Sequence, residues 1–230
     1  MRVTQDRNIL YLSKQSSDTK LNFMNVLIAC EYSGRVREAF RRRGHYAMSC
    51  DLRQTEIDGP HYQGDVRGIL GWGWDLMIAH PYCTFNTLAG IRWMYHPEDT
   101  ALPAEQRRRH PRYPNRMRDF LEGVEFFMTL MAAPIPHICL ENSKPHGLAM
   151  SYIGRPTQTV QPWMFGDPYT KGASLWLKNL PVLTPTHSKA NYPEIFSECH
   201  FASPGPDREK ERSRTYPAIA EAMAEQWGAL

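Results

Sequence analysis

The sequence predicts an α/β protein built on a doubly wound, mostly parallel sheet. Three observations carry that expectation. Short apolar runs recur at 24–30, 46–50, 76–79 and 136–140, the length of buried strands rather than of helices. Stretches of helical periodicity stand between them, one marked by Val36, Ala39 and Phe40 and another over 120–131. Several runs also end on residues that carry chemistry. Asp51 follows one, Glu141 another, and Pro81 and Cys83 a third, and the carboxyl ends of strands are where open α/β sheets bind ligands.

The chain has 230 residues, 42% hydrophobic and 22% charged, which suits one ordinary globular core. A single domain is expected over 24–230, after a polar extension at 1–23 in which Met24 stands as a candidate second start. No apolar run approaches the roughly 20 residues of a membrane span. No apolar signal core opens the chain, so a cytoplasmic location is expected. The five cysteines, Cys30, Cys50, Cys83, Cys139 and Cys199, lack CxxC spacing, which points to reduced thiols. Cys199-His200 with Glu198 has no second pair at ligand spacing, so no metal is expected.

The first strand leads into the turn Glu31-Tyr32-Ser33-Gly34, then a helix closed by Gly44. A glycine turn after one strand and an acid, Asp51, at the tip of the next suit a nucleoside cofactor. Backbone amides approach the ligand at the turn, and the acid accepts from ribose hydroxyls. Asp65 heads a second short acidic turn. The segment at about 85–118 is different in kind. Over 92–118 it has seven arginines against three acids, interleaved with Trp93, Tyr95 and Tyr113. It reads either as a solvated loop or as a nucleic-acid contact made by Arg92, Arg107, Arg108, Arg109, Arg112 and Arg116. Later strands are expected at 158–165 and 174–177, irregular chain over 184–212, and a final helix at 217–227 with Pro217 in its first turn.

Pro81-Tyr82-Cys83, Glu141-Asn142-Ser143, Phe165-Gly166-Asp167-Pro168 followed by Lys171, and the helix entered through Ser213-Arg214-Thr215 occur in an order that resembles the cytosine-5 DNA methyltransferases. The likeness is to a compact, phage-type member and runs from Met24 to about Trp227. It implies a Rossmann-like sheet of the class I methyltransferase type and S-adenosylmethionine as methyl donor. Glu31, Tyr32, Ser33, Gly34, Asp51, Leu52, Asp65, Val66, Pro81, Ser213 and Thr215 would take the donor-binding places. Cys83 would be the nucleophile, Glu141 would meet the base edge, Asn142 would hold local backbone, and Lys171 would support the base carbonyl or the carboxylate. The family's Pro-Cys pair is here split by Tyr82, its glycine-rich donor loop is reduced to one glycine, and lysine stands where arginine is usual. Only about 35 residues lie between Leu177 and Ser213, too few for the family's usual target-recognition domain.

The chemistry implied is covalent catalysis: a thiolate adds to carbon 6 of cytosine so that carbon 5 becomes nucleophilic. The expected partner is single- or double-stranded DNA. Two alternatives stand beside it. One keeps Cys83 and Glu141 but uses another electrophile or a free cytidine nucleotide. The other is a non-catalytic DNA-binding paralogue.

Overall fold

The computed structural model describes residues 23–197 and 213–230. Five strands run parallel: β1 (Asn25–Ala29), β2 (Tyr46–Asp51), β3 (His61–Gln63), β4 (Leu76–Ala79) and β5 (His137–Asn142). Two more follow, β6 (Gln158–Val160) and β7 (Ala173–Lys178), and β7 lies antiparallel between β5 and β6. The order across the sheet is β3-β2-β1-β4-β5-β7-β6. The chain therefore winds outward from β1 to one side, returns, and winds outward from β4 to the other. This is the Rossmann-like, doubly wound class expected from the sequence, and its switch point lies between the tips of β1 and β4.

Helices cover both faces. α1 (Arg35–Arg42) and α5 (Pro217–Trp227) lie on one, α3 (Arg116–Met131) and α4 (Gly147–Ile153) on the other, and the one-turn α2 (Leu88–Ile91) follows β4. Alternation along each strand sends side chains to opposite clusters. Val26, Ile28, Leu76 and Ile78 meet Val36, Phe40, Met223 and Trp227. Leu27, Met77 and Leu140 meet Phe120, Phe127 and Ile153. Two-sided burial is why these strands read as continuous apolar runs. Arg42 and Arg43 both pair with Glu221, fastening α1 to α5.

Some boundaries differ from the expected ones. The strand expected over 158–165 is cut short, because Pro162 cannot donate to a ladder and opens a 3-10 turn, Pro162–Met164. α3 begins at Arg116, a turn earlier than its apolar pattern shows. β3 and α4 were not foreseen. β3 has only three residues, and α4 starts without the usual capping residue, using His146 Nδ1 to accept from Ala149 N at 2.9 Å. The extension at 1–22 and the Glu198–Cys199–His200 group lie outside the described residues.

Candidate active site

The switch point brings the expected donor residues around the tips of β1, β2 and β3. Gly34 adopts φ 74°, a left-handed conformation that glycine takes without strain, and starts α1. Glu31 is buried, and its carboxylate accepts from Val36 N and Ser33 Oγ at 2.9 Å each. Glu31 and Ser33 therefore shape the start of α1 with their side chains, and only their backbone is left for a ligand. Asp51 Oδ1 accepts from Arg53 N at 2.9 Å, and beside it Leu52 is 75% exposed. Asp65 caps the 3-10 turn beginning at Val66 and is gripped by Arg67, whose hydrogen bonds hold its carboxyl below the usual range. Burial pushes the Cys50 thiol up to about 12, with Asp51 and Asp65 adding to the rise, so Cys50 stays protonated. Cys30 is raised for the same reasons and holds a left-handed φ of 58°.

The segment entering α5 closes over this edge. Tyr32 Oη and Ser213 Oγ are 2.9 Å apart, Arg35 donates to Thr215 O at 3.0 Å, and Arg214 forks onto Glu56. Thr215, Tyr216 and Ile219 line one wall of a narrow cleft whose other walls are Glu141, Lys171 and Ala173. Lys171 Nζ donates to Arg214 O at 2.7 Å and lies over the Tyr216 ring. An acid beside an uncovered apolar side chain at the β2 tip, with a polar turn at the β1 tip, fits a ribose carrying a flat base. The residues present therefore suit a nucleoside ligand.

On the β4–β5 side, Cys83 is exposed, whereas Cys50 and Cys139 are buried and Cys30 is partly so. Its inner side is crowded, and this desolvation together with the Glu141 charge pushes the thiol up, against the opposing pull of Lys171 and Ser143. Glu141 is pushed up by burial, but the hydrogen bond and charge of His80 and the charge of Lys171 outweigh this, and its carboxyl lies below the usual range. The resting pair is thus a thiol beside a carboxylate. Asn142 Nδ2 donates to Pro81 O at 3.4 Å, fixing the turn that carries Cys83.

The two loops are stapled together. Thr87 and Pro145 form an isolated bridge, Leu88 N donates to Lys144 O, and His146 donates from N to Asn86 O and from Nε2 to Phe85 O. Behind the staple, a Cβ on Gly90 would meet Thr84 O at 2.4 Å and Arg116 Nη2 at 3.0 Å. Gly90→Ala is therefore expected to cost about 1–3 kcal/mol and to push the Cys83 loop outward. Urea unfolding checks the first effect; the rate of Cys83 alkylation checks the second.

The arginine-rich segment is largely built structure. Arg116 is only 8% exposed, donates to Thr84 O at 2.7 Å and lies 4.4 Å from the Phe85 ring centroid, so it buttresses the Cys83 loop instead of forming an outer surface. Burial holds its basicity below the usual value. Arg108 pairs with Asp99 and Glu98, and this holds the Asp99 carboxyl at about 2. The Asp99 anchor is accordingly present above the usual carboxylate range and lost only as pH falls toward that value. Arg107 donates to Leu102 O and Thr100 O. Arg92, Arg109 and Arg112 are exposed, with Arg92 over Trp93 and Arg112 over Tyr113, and Trp93, His110 and Tyr113 pack edge to face or tilted within 5.4 Å. Of the six expected contacts, Arg116 is buried and Arg107 half-buried, while Arg108 is exposed with its charge engaged by Asp99 and Glu98, which leaves Arg92, Arg109 and Arg112 as the exposed arginines outside that ion pair.

Sequence reasoning gives His80 no role, although it directly precedes Pro81-Tyr82-Cys83. The signal was the strand ends: Ala79 pairs with Leu140, so the next residues, His80 and Glu141, fall side by side. Among the described residues no group of three or more His, Cys, Asp or Glu is placed to hold a metal, and no helix is long and apolar enough to cross a membrane.

No protein-family model and no curated protein matches the chain. Solved structures similar to it include a prophage-encoded "putative DNA modification methyltransferase" from E. coli, at 15% identity and a TM-score of 0.44 over 74% of this chain and 54% of that one. Another is the Entamoeba histolytica methyltransferase EhMeth, at 11% identity and a TM-score of 0.43 over 72% of this chain and 58% of that one. The chain thus spans little more than half the length of either. The fold rests on the strand order and pairing, not on these likenesses.

Proposed function

We propose that the protein is a DNA (cytosine-5-)-methyltransferase using S-adenosylmethionine. The observation that carries this reading is an exposed thiol, Cys83, and a largely buried carboxylate, Glu141, at the ends of the adjacent strands β4 and β5, next to the switch point, their loops stapled to each other. The Rossmann-like sheet and the motif order are what a class I methyltransferase of this family requires.

Cys83 adds to carbon 6 of cytosine as the thiolate. The S–C6 bond forms, the C5–C6 π bond opens, and carbon 5 becomes nucleophilic. Glu141, as the carboxylate, accepts from the exocyclic amine and orients the ring for attack. Asn142 keeps the Cys83 turn in place, and Lys171 offsets the negative charge of Glu141. Tyr32, Asp51, Leu52, Ser213 and Thr215 would hold the donor, which supplies an electrophilic methyl group when bound. The carbon-5 proton then passes to solvent water and Cys83 leaves carbon 6 as the thiolate, which restores the aromatic ring. A cytosine in duplex DNA is first unstacked, at a few kcal/mol, and the Arg92, Arg109 and Arg112 surface offers phosphate and stacking contacts that offset this.

The test is intact-mass analysis after mixing the protein with single-stranded and duplex DNA containing 5-fluorocytosine, with and without S-adenosylmethionine. A donor-dependent adduct mapped to Cys83 is expected. Tight binding without an adduct on either DNA would overturn the reading in favour of a nucleotide substrate, another electrophile or a binding role. Within it, Arg92→Ala and Arg112→Ala should each weaken DNA binding and lower the salt slope by about 1. Arg108→Ala, which removes an ion-paired side chain, should leave the slope nearly unchanged in the same titration.

A further inference from the structure

His80 and Glu141 follow paired residues on β4 and β5, and both project to the α1–α5 side, the side taken by Ile78 and Cys139. The His80 backbone is itself fixed, its N–H donating to Ala29 O at 2.9 Å. His80 Nδ1 lies 3.0 Å from Glu141 Oε2, with the two side chains 11% and 19% exposed. An ionised carboxylate has no proton to give, so His80 is the donor and carries its hydrogen on Nδ1. The other ring nitrogen, Nε2, is buried without a hydrogen-bond partner. In its neutral form the ring therefore holds the tautomer opposite to the one a free imidazole favours in water, with the Glu141 contact setting it. The charged and titratable groups that bear on the pair are Lys171 from the loop before β7, Cys83 from the loop after β4, and Cys139 on β5.

We propose that His80 is the positioning residue for Glu141. Its Nδ1–H holds Oε2, leaving Oε1 to the cleft that Lys171 and Thr215 share, and brings the carboxylate into the reaction ionised, ready to accept from the exocyclic amine of the target cytosine. The inference rests on the proposed methyltransferase activity for its chemical meaning, but the pair itself can be observed without any turnover. His80 forms no bond to substrate and passes no proton. It sets the direction and charge of the group that does touch the base.

Two measurements test this. The first is the pH dependence of methyl transfer to DNA. Loss of the histidine hydrogen bond leaves burial as the main force on Glu141, which raises its carboxyl. His80→Ala should therefore move the acid limb of kcat to higher pH and lower kcat at neutral pH by at least about tenfold, with KM for DNA changed by less than about twofold. His80→Gln keeps an N–H donor and should restore most of kcat and return the acid limb toward that of the unaltered protein. An unmoved acid limb in His80→Ala, or a His80→Gln variant no better than alanine, would overturn the proposal. The second measurement is the long-range nitrogen–proton NMR correlation of His80 in the full chain. At a pH where the ring is neutral, the Nδ1–H tautomer is expected, changing to Nε2–H in Glu141→Ala, and an Nε2–H tautomer in the unaltered protein would overturn it. If the unaltered protein transfers no methyl group, the assigned activity fails, while the tautomer still decides whether His80 holds Glu141.

Discussion

Replacing Cys83 by alanine is expected to lower methyl transfer by at least about a thousandfold while leaving the melting temperature nearly unchanged. The side chain is exposed, so its loss opens no cavity, in contrast to buried Cys139, where truncation would loosen the sheet. A paired radiolabel assay and thermal melt would show the dissociation, and a loss of less than tenfold would remove Cys83 from the role of nucleophile. The thiol's elevated pKa adds a second readout. Crowding and the Glu141 charge disfavour the thiolate, so alkylation of Cys83 should be slow at neutral pH and quicken as pH rises. Glu141→Gln removes a negative charge and should shift that rise to lower pH, whereas Lys171→Met should shift it to higher pH. An unmoved rise in both variants would mean that neither group faces the thiol.

The second large effect is structural. Arg37 is fully buried between α1 and the loop that follows β2. Its guanidinium pairs with Glu38 and donates to Ser49 Oγ at 2.9 Å, Thr55 Oγ1 at 3.2 Å, Ile57 O at 2.5 Å and Pro60 O at 3.4 Å. Arg37→Ala strands those acceptors in the interior and is expected to cost about 3–5 kcal/mol. For a chain of this size, that is a fall in melting temperature of roughly 10 °C. Lysine has no fork and cannot reach several acceptors at once, so Arg37→Lys should recover only part of the loss. The same loop starts at Leu52, directly after Asp51 at the end of β2, so donor affinity should fall along with stability. A loss below about 1 kcal/mol in urea unfolding would mean that the loop has other supports.

The sheet was legible because its strands are buried on both faces and announce themselves as apolar runs. The tips of those runs, Asp51, Cys83 and Glu141, were legible because polar residues end them. Short elements were not. β3 pairs through three residues, and α4 is capped by a histidine ring, so neither leaves a periodic trace. The role of Arg116 was hidden for a different reason. A run of arginines looks uniform in sequence, and only packing separates Arg116, under the Cys83 loop, from Arg92 and Arg112 on the outside. His80 belongs to the same class: its meaning is a relation between two strands, and nothing local to residue 80 states it.

The hydrogen bond between Tyr32 and Ser213 spans 181 positions of the chain. Such a contact closes a very long loop, and its entropy cost is met only once most of the sheet exists. The cleft is therefore among the last parts of the molecule to assemble. Its wall formed by Thr215, Tyr216 and Ile219 travels with the first turn of α5, so fraying of that turn opens the cleft while Met223 and Trp227 still cover β1 and β4. Amide exchange in α5 thus serves as a clock for the site: the fraction of time the helix is loosened is the fraction of time the molecule is folded but not competent.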